Sequence, residues 1–136
     1  MAPDSDERTH VLVVDDDHDI AVLMRINLES AGYSVATAGT AQQAWERIHE
    51  RMPDLVVTDL MMPGQDGYEF VELLRSTPQT KGVGIVILSA RTAAEDRARA
   101  FEVGCDDYII KPFDPRHVLN IFEGTAELGK ARRTRS

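Results

Sequence analysis

Several residue types are scarce in this chain of 136 residues, and each scarcity excludes a class of protein. Cys105 is the only cysteine, which excludes an internal disulfide and a zinc site built from the cysteines of one chain. No apolar run approaches the roughly 18 residues of a membrane-spanning helix, and the N-terminus lacks the hydrophobic stretch of a signal peptide. We therefore expect a soluble, cytoplasmic protein that contacts no membrane.

Positively charged residues are also scarce, since the chain has 15 Lys and Arg but 23 Asp and Glu, and its formal net charge is −8. The last seven residues, KARRTRS, carry four positive charges and no negative ones, so residues 1–129 are more acidic than the chain as a whole. Such a body repels phosphate backbones, and we expect no direct nucleic-acid binding by it. Clusters of acids suit hard cations instead.

Five short apolar runs, several of them continuous, alternate with helical patterns along the chain. We predict strands in the runs 11–14, 33–36, 55–57, 83–88 and 108–110, with a helix after each strand. Strict alternation with short connections implies right-handed crossovers and a parallel sheet. The predicted fold class is therefore α/β, a (βα)5 doubly wound parallel five-stranded sheet.

Local signals predict where the helices begin and end. Capping boxes at 40–43 and 92–95 start the second and fourth helices, and an Asp before Pro115 starts the fifth. Gly124 is expected to interrupt the fifth helix. We predict a flexible leader at 1–9, one domain at 10–127 and a basic tail or linker at 128–136. The fourth helix is expected to bury Ala94, Ala98 and Phe101, and surface or cap positions are expected for His10, His18, His49 and His117.

Polar side chains follow the predicted strands at the points where four of them end. Asp15 and Asp16 come after the first strand, Asp59 after the third, Ser89 at the end of the fourth and Lys111 after the fifth. Ligands of an open parallel sheet bind beyond the carboxyl ends of the strands. Each residue alone has a structural explanation, but all five meet at one edge of the sheet.

This set of residue types fits phosphoryl chemistry on a carboxylate. An aspartate can attack phosphorus to give an acyl phosphate, and two further carboxylates are suited to hold Mg²⁺. A lysine and a hydroxyl then contact the remaining phosphoryl oxygens. Two other acids, Asp17 and Asp19, are expected to be helix-start acids rather than members of the site.

With these residues in this order, the sequence resembles the receiver domain of two-component response regulators. The resemblance covers roughly residues 10–127 and implies a flavodoxin-like strand order of 2-1-3-4-5. It rests on four motifs in the family's order and spacing, namely VLVVDDD (11–17), DLVVTDLMMPGQDG (54–67), ILSA (87–90) and DDYIIKPF (106–113).

The resemblance implies roles for the acidic residues of the predicted site. Asp59 is the expected phosphoacceptor and also contacts Mg²⁺, for which Mn²⁺ can substitute. Asp15 and Asp16 are the expected acidic pair, with Asp16 a direct metal ligand and Asp15 acting largely through water. Met61 is expected to give its backbone carbonyl to the metal.

The resemblance also implies how phosphorylation changes the molecule. Ser89 and Lys111 are expected to contact the phosphoryl group, and Tyr108 matches the family's switch aromatic, which turns inward as Ser89 shifts. The face built from the fourth helix, fifth strand and fifth helix then changes, which is a population shift between two states. A cis bond is expected between Lys111 and Pro112.

Expected partners follow from the same resemblance. A sensor histidine kinase or phosphotransfer protein donates the phosphoryl group, and an output domain or partner protein responds. A homodimer that forms on phosphorylation is a further expectation. The protein is not expected to be an enzyme, since it assists only its own phosphorylation and dephosphorylation.

Two alternatives of other classes stay open on the sequence. A haloacid-dehalogenase-type phosphatase takes its nucleophile from a DxD pattern after the first strand, which residues 15–17 superficially supply. This leaves Asp59 and the KPF segment unexplained, and the chain is short for that family. A flavodoxin-like binding module shares the architecture and predicts a flavin, but the acidic loop after the first strand repels an anionic cofactor.

Overall fold

The strands and helices alternate along the whole described part of the chain. The computed structural model describes residues 8–135 except 63 and 65, so most of the predicted leader lies outside the described residues. In chain order the elements are β1 (His10–Val14), α1 (His18–Ser30), β2 (Ser34–Ala38), α2 (Ala41–Glu50), β3 (Leu55–Thr58), α3 (Gly67–Ser76), β4 (Gly84–Ser89), α4 (Ala94–Val103), β5 (Asp107–Ile110) and α5 (Pro115–Arg135).

The five strands form one parallel sheet in the order β2-β1-β3-β4-β5, which confirms the predicted fold class and strand order. Every residue of β1, β3 and β4 is buried, because helices cover both faces of the sheet. One face packs against α2, α3 and α4, with Phe70 fully buried there, and the other packs against α1 and α5 around Phe122. Trp45 of α2 meets the Phe70 ring edge-on, with 6.0 Å between the ring centroids.

The starts of α2 and α4 differ. Thr40 accepts a hydrogen bond from the Gln43 backbone N–H at 3.1 Å, which confirms the first capping box. The second is wrong, because α4 begins after Ala93 and has no side-chain cap hydrogen bond. The predicted stripe of α4 is also wrong: Ala94, Ala98 and Phe101 are exposed, and Ala100 is the residue of α4 that is buried.

Helix α5 continues through Gly124 to Arg135, so the predicted interruption is wrong. Its buried face repeats at Val118, Phe122 and Ala126, on both sides of the glycine. The packing of this face against the sheet outweighs the cost of one glycine, about 1 kcal/mol relative to alanine. Residues 128–135, predicted as tail or linker, are therefore helical, while the domain boundary at 127 stays a prediction.

The basic end of α5 forms ion pairs at the amino edge of the sheet, which is the edge where the strands begin. Arg132 forms two hydrogen bonds with the Asp106 carboxylate, at 2.7 and 3.1 Å, and Arg133 pairs with Asp54. Arg75 of α3 also reaches Asp106, at 2.9 Å. The predicted positive charges of the tail are thus partly engaged in ion pairs within the domain.

His10 corrects the prediction that the histidines lie at surface or cap positions. It is buried as the first residue of β1, and its Nδ1 lies 3.0 Å from the Ser34 hydroxyl.

Within the described residues, none of the helices combines the length and the apolar character needed to cross a bilayer.

Candidate functional site at the carboxyl edge of the sheet

The chain folds so that the predicted site residues meet at one edge of the sheet. In the ladders, Val14 pairs with Thr58 and Ser89 pairs with Ile110, so the strands end nearly level. The residue that follows each of these strands therefore emerges at the same height. The backbone continues the alignment, because the Asp59 N–H bonds the Val14 carbonyl and the Lys111 N–H bonds the Ser89 carbonyl.

Lys111 is the centre of the hydrogen-bond arrangement. Its Nζ lies 2.8 Å from Asp15 Oδ2 and 2.8 Å from Asp59 Oδ2, so it bridges two carboxylates that come from different strands. The three side chains are largely buried, with 15%, 4% and 11% of the side-chain surface of Lys111, Asp15 and Asp59 exposed. The ammonium group is thus held directly against the Asp59 carboxylate.

Burial dominates the electrostatics of Asp15. It raises the pKa of the Asp15 carboxyl above its ordinary value, although the hydrogen bonds from Lys111 and the Asp17 backbone act in the opposite direction. Burial alone would lower the pKa of Lys111, but the hydrogen bonds and charges of Asp15 and Asp59 raise it above the ordinary lysine value. Lys111 therefore carries a positive charge at neutral pH, whereas the charge on Asp15 is held against a desolvation penalty.

Asp15, Asp16 and Asp59 form a group of acids that suits a metal ion. Each offers a carboxylate oxygen, and these three oxygens lie within 4.8 Å of one another. Asp16 is exposed, whereas the other two are buried, so the group opens to solvent on one side. Hard oxygen donors with solvent access match the preference of Mg²⁺, which keeps several of its waters.

The loop after Asp59 folds back on the carboxylate. The Met61 N–H donates to Asp59 Oδ1 at 3.1 Å, which fixes the carboxylate and leaves Oδ2 to Lys111. The Met61 side chain is exposed, and its Sδ lies 3.0 Å from Nη2 of Arg91. Met61 therefore lies beside the Asp59 carboxylate, and its role as a carbonyl ligand stays a prediction.

Ser89 and Tyr108 connect the edge of the sheet to the segment that leads into α4. Ser89 is fully buried, and its Oγ accepts a hydrogen bond from the Arg91 N–H at 3.1 Å. Tyr108 is 5% exposed, and its hydroxyl donates to the Arg91 carbonyl at 2.9 Å. Both residues predicted to act in the switch thus hold the same residue, Arg91. The peptide bond between Lys111 and Pro112 is cis, as expected.

Two residues that help to hold this segment, Tyr68 and Asp96, are not predicted from the sequence. Tyr68 of α3 places its hydroxyl 3.1 Å from the Asp96 carbonyl and 3.2 Å from its Oδ1, and Asp96 in turn pairs with Arg91. Tyr68 and Asp96 are 28 residues apart, and no local pattern marks such a contact. Asp17, by contrast, caps α1 as expected, accepting from the N–H groups of Asp19 and Ile20.

Comparison with known protein families gives an independent result. The family model described as "Response regulator receiver domain" matches residues 11–123. Among curated relatives, the phosphate regulon transcriptional regulatory protein PhoB of Rhizobium meliloti is 41% identical over 109 residues, which cover 80% of this chain and 48% of that protein. The DNA-binding response regulator MtrA of Mycobacterium leprae is 41% identical over 112 residues, covering 82% of this chain and 48% of the relative.

The chain spans about half the length of these curated relatives. Solved structures match it over nearly their whole length. A chemotaxis response regulator of Vibrio cholerae shares 30% identity with a TM-score of 0.81, covering 87% of this chain and 98% of that one. A CheY-like response regulator receiver domain protein from Methanospirillum hungatei shares 25% identity with a TM-score of 0.84, covering 93% and 99%.

Proposed function

Because the chain belongs to the response regulator receiver domain family of two-component systems, we propose that Asp59 is its phosphoacceptor. The observation that carries the proposal is the position of Lys111, whose Nζ lies 2.8 Å from the carboxylates of both Asp15 and Asp59. A cation in this place neutralises negative charge as it develops on a phosphoryl group bound to Asp59. The phosphoryl donor is a phosphohistidine of a sensor histidine kinase or of a phosphotransfer protein.

In the proposed reaction a carboxylate oxygen of Asp59 attacks the phosphorus atom of phosphohistidine. The new O–P bond forms as the P–N bond breaks, and the electron pair of that bond stays on the imidazole of the donor. Lys111 binds a phosphoryl oxygen. Since Ser89 Oγ accepts a hydrogen bond from the Arg91 N–H, its own hydroxyl proton is the group that donates to another phosphoryl oxygen.

The acidic group has the donors that a divalent cation requires, and we assign Asp15, Asp16 and Asp59 to hold Mg²⁺ together with the Met61 backbone carbonyl. Asp15 acts largely through water, and Mn²⁺ can substitute. A bound ion would supply neutralisation of the negative charge that gathers on the carboxylates and on the phosphoryl group. The receiver is not an enzyme acting on a separate substrate, because it assists only its own phosphorylation and dephosphorylation.

The output of the switch is the face formed by α4, β5 and α5. Phosphorylation moves Ser89 toward the phosphoryl group, and Tyr108 follows because both residues bind Arg91. Phe101 of α4 and Ile110 of β5 are large apolar residues exposed on this face, 41% and 38% respectively. Exposed apolar side chains are suited to bind an output domain, a partner protein or a second phosphorylated copy.

The curated relatives of this chain include a DNA-binding response regulator. We propose that a linked output domain or a separate partner protein, rather than the receiver, makes any contact with DNA. The acidic body, with a net charge of −8 over the chain, is unsuited to bind nucleic acid itself. The site of action is the cytoplasm.

Phosphorylation by acetyl phosphate with Mg²⁺ tests the proposal directly. Intact-mass spectrometry is expected to show one phosphoryl group per chain, and site mapping is expected to place it on Asp59. The Asp59→Asn variant is expected to take no label, and generic phosphomonoesters are not turned over. Label on Asp15 or Asp17 would contradict the receiver assignment and favour the phosphatase class.

A pair of charge-matched variants tests the metal assignment in the same assay. Asp16 and Asp19 are both exposed acids near the start of α1, but Asp16 alone belongs to the acidic group. Asp16→Asn is expected to lose most Mg²⁺-dependent labelling of Asp59, whereas Asp19→Asn is expected to keep it. Equal loss in the two variants would point to general charge rather than to a metal ligand.

A further inference from the structure

The first turn of α4 is held from outside the helix. Its N-terminus has no side-chain cap, and the N–H groups of Asp96 and Arg97 bond to the Ala93 carbonyl at 3.1 and 3.3 Å. An uncapped helix end of this kind frays unless other contacts fix it. Those contacts come from two tyrosines on different elements.

Tyr108 of β5 and Tyr68 of α3 bind the two ends of the segment 91–96. The Tyr108 hydroxyl donates to the Arg91 carbonyl at 2.9 Å, and the Tyr68 hydroxyl reaches the Asp96 carbonyl at 3.1 Å. Both tyrosines are buried, 5% and 3% exposed, so these hydrogen bonds are partly shielded from water. Of the two tyrosines, only Tyr108 is predicted from the sequence to take part in the switch.

An ion pair joins the two tyrosines into one network. Arg91 Nη1 lies 3.2 Å from Asp96 Oδ1, the same oxygen that lies 3.2 Å from the Tyr68 hydroxyl. The Arg91 N–H bonds Ser89 Oγ at the other end. A continuous path of contacts therefore runs from Ser89 through Arg91 and Asp96 to Tyr68.

Tyr68 is itself fixed firmly to its surroundings. The guanidinium of Arg99 on α4 lies 4.2 Å from the centroid of the Tyr68 ring. The preceding residue, Gly67, bonds the Leu60 carbonyl and packs so closely that an added Cβ would lie 2.5 Å from Leu60 Cα. The start of α3 is thus braced against the chain that directly follows Asp59.

We propose that Tyr68 is a positioning residue that joins α3 to the first turn of α4 and carries displacement of the Ser89–Arg91 segment to α3. Its transmitting role rests on the proposed function, because phosphorylation of Asp59 is what displaces that segment. The consequence is a second responding element, α3, beside the face of α4, β5 and α5.

Three tyrosine-to-phenylalanine variants of the full chain test the proposal, and they cover all the tyrosines of the protein. Tyr68→Phe keeps the buried ring and its contact with Arg99 and removes only the hydroxyl. Tyr108→Phe removes the other hydroxyl bond to the segment. Tyr33→Phe is the matched control, because Tyr33 packs against the opposite face of the sheet, with α1 and α5.

Hydrogen exchange measured by mass spectrometry, without any ligand, first tests whether the hydrogen bond from Tyr68 to Asp96 stabilises the first turn of α4. Tyr68→Phe is expected to raise exchange in residues 94–97 about fivefold, the ratio that corresponds to the net contribution of one ordinary hydrogen bond. Asp96→Ala, which removes the carboxylate shared by Tyr68 and Arg91, is expected to raise it at least as much, whereas Glu95→Ala is not. Unchanged exchange in both Tyr68→Phe and Asp96→Ala would overturn the proposal.

The same hydrogen-exchange measurement with beryllofluoride, an analogue of the phosphoryl group, and Mg²⁺ then tests whether displacement at Ser89–Arg91 reaches α3. In the wild-type protein and in Tyr33→Phe, exchange is expected to change in both residues 91–97 and residues 67–76. In Tyr68→Phe the change in 91–97 is expected to persist and that in 67–76 to be lost, which a purely structural role would not produce. If the response in residues 67–76 survives in Tyr68→Phe, the transmitting role of Tyr68 is overturned and the proposed function is not affected. If acetyl phosphate does not phosphorylate wild-type Asp59, the proposed function itself is contradicted.

Discussion

Lys111 and Asp15 form one ion pair, but their contributions to stability have opposite signs. Lys111 separates two buried carboxylates, and removing it leaves them close together without a cation. Asp15 is ionised against a burial penalty that raises its pKa, so its charge costs stability while no divalent cation is bound. Lys111 therefore stabilises the folded protein, whereas the ionised carboxylate of Asp15 destabilises it.

The Lys111→Met variant is expected to lower the free energy of unfolding by about 3 kcal/mol, the usual effect of removing one partner of a buried ion pair. Asp15→Asn is expected to raise it at neutral pH, because the amide carries no charge to desolvate. Urea denaturation in the presence of a chelator measures both. A less stable Asp15→Asn protein under these conditions would contradict the burial argument.

The sign of the Asp15 effect fixes its pH dependence. A carboxyl whose pKa is raised by folding destabilises the protein once pH exceeds the unfolded value, and the penalty is absent when both states are protonated. The advantage of Asp15→Asn is therefore expected to shrink as pH falls below the ordinary carboxyl range. If Asp15 helps to hold Mg²⁺ as proposed, added Mg²⁺ is expected to reverse the order, because a ligand that binds the folded wild-type protein more tightly stabilises it more.

At the scale of elements, α5 contains two glycines in very different surroundings. An added Cβ at Gly124 meets no atom within 4 Å, whereas one at Gly129 would lie 2.5 Å from the Asp54 carbonyl oxygen and 2.6 Å from the Gly84 nitrogen. The close approach at Gly129 lets the end of α5 reach the acids at the amino edge of the sheet. The same substitution at the two positions should thus act in opposite directions.

Gly124→Ala is expected to stabilise the protein by about 1 kcal/mol, the difference in helix propensity between the two residues. Gly129→Ala is expected to destabilise it, because the backbone at Asp54, just before β3, and at Gly84, where β4 begins, cannot retreat from the added methyl group. Thermal and urea unfolding of the two variants, each the control for the other, measure the effects. Stabilisation by Gly129→Ala would show that α5 does not pack closely there.

The sequence predicted elements well where one signal dominates. Continuous apolar runs located the buried strands, and the polar residues directly after them located Asp15, Asp59, Ser89 and Lys111 at one edge. The stripe of α4 failed because small alanines carry almost no periodic signal, and tertiary packing chose Ala100 instead. Contacts such as Tyr68 with Asp96 were out of reach, since they depend on how two helices pack.

At the scale of the whole molecule, charge is organised at both edges of the sheet. The carboxyl edge gathers Asp15, Asp16 and Asp59 around Lys111, and the amino edge pairs acids with arginines of α5. At the amino edge, directly before Asp106, Cys105 is buried at 6% exposure. Burial first, and then the charges of Asp106 and Asp107, raise the pKa of this thiol from 9.0 to about 12.

The Cys105 thiol is expected to react with a disulfide reagent at pH 8 only when the whole molecule unfolds. Labelling of the native protein should be slow and should follow the global unfolding rate, whereas the urea-unfolded control should react at once. Because folding raises this pKa, stability should also fall as pH rises above 9.0 toward 12. Rapid labelling of the native protein would contradict the burial of Cys105.

The edge-on contact of Trp45 with Phe70 has a practical consequence for following the switch. Trp45 is the only tryptophan, and its partner ring lies on α3, two residues after Tyr68. A shift of α3 would change the surroundings of the indole, and indole emission depends on those surroundings. The protein therefore contains a native optical probe of α3, which can be read in real time without any attached dye.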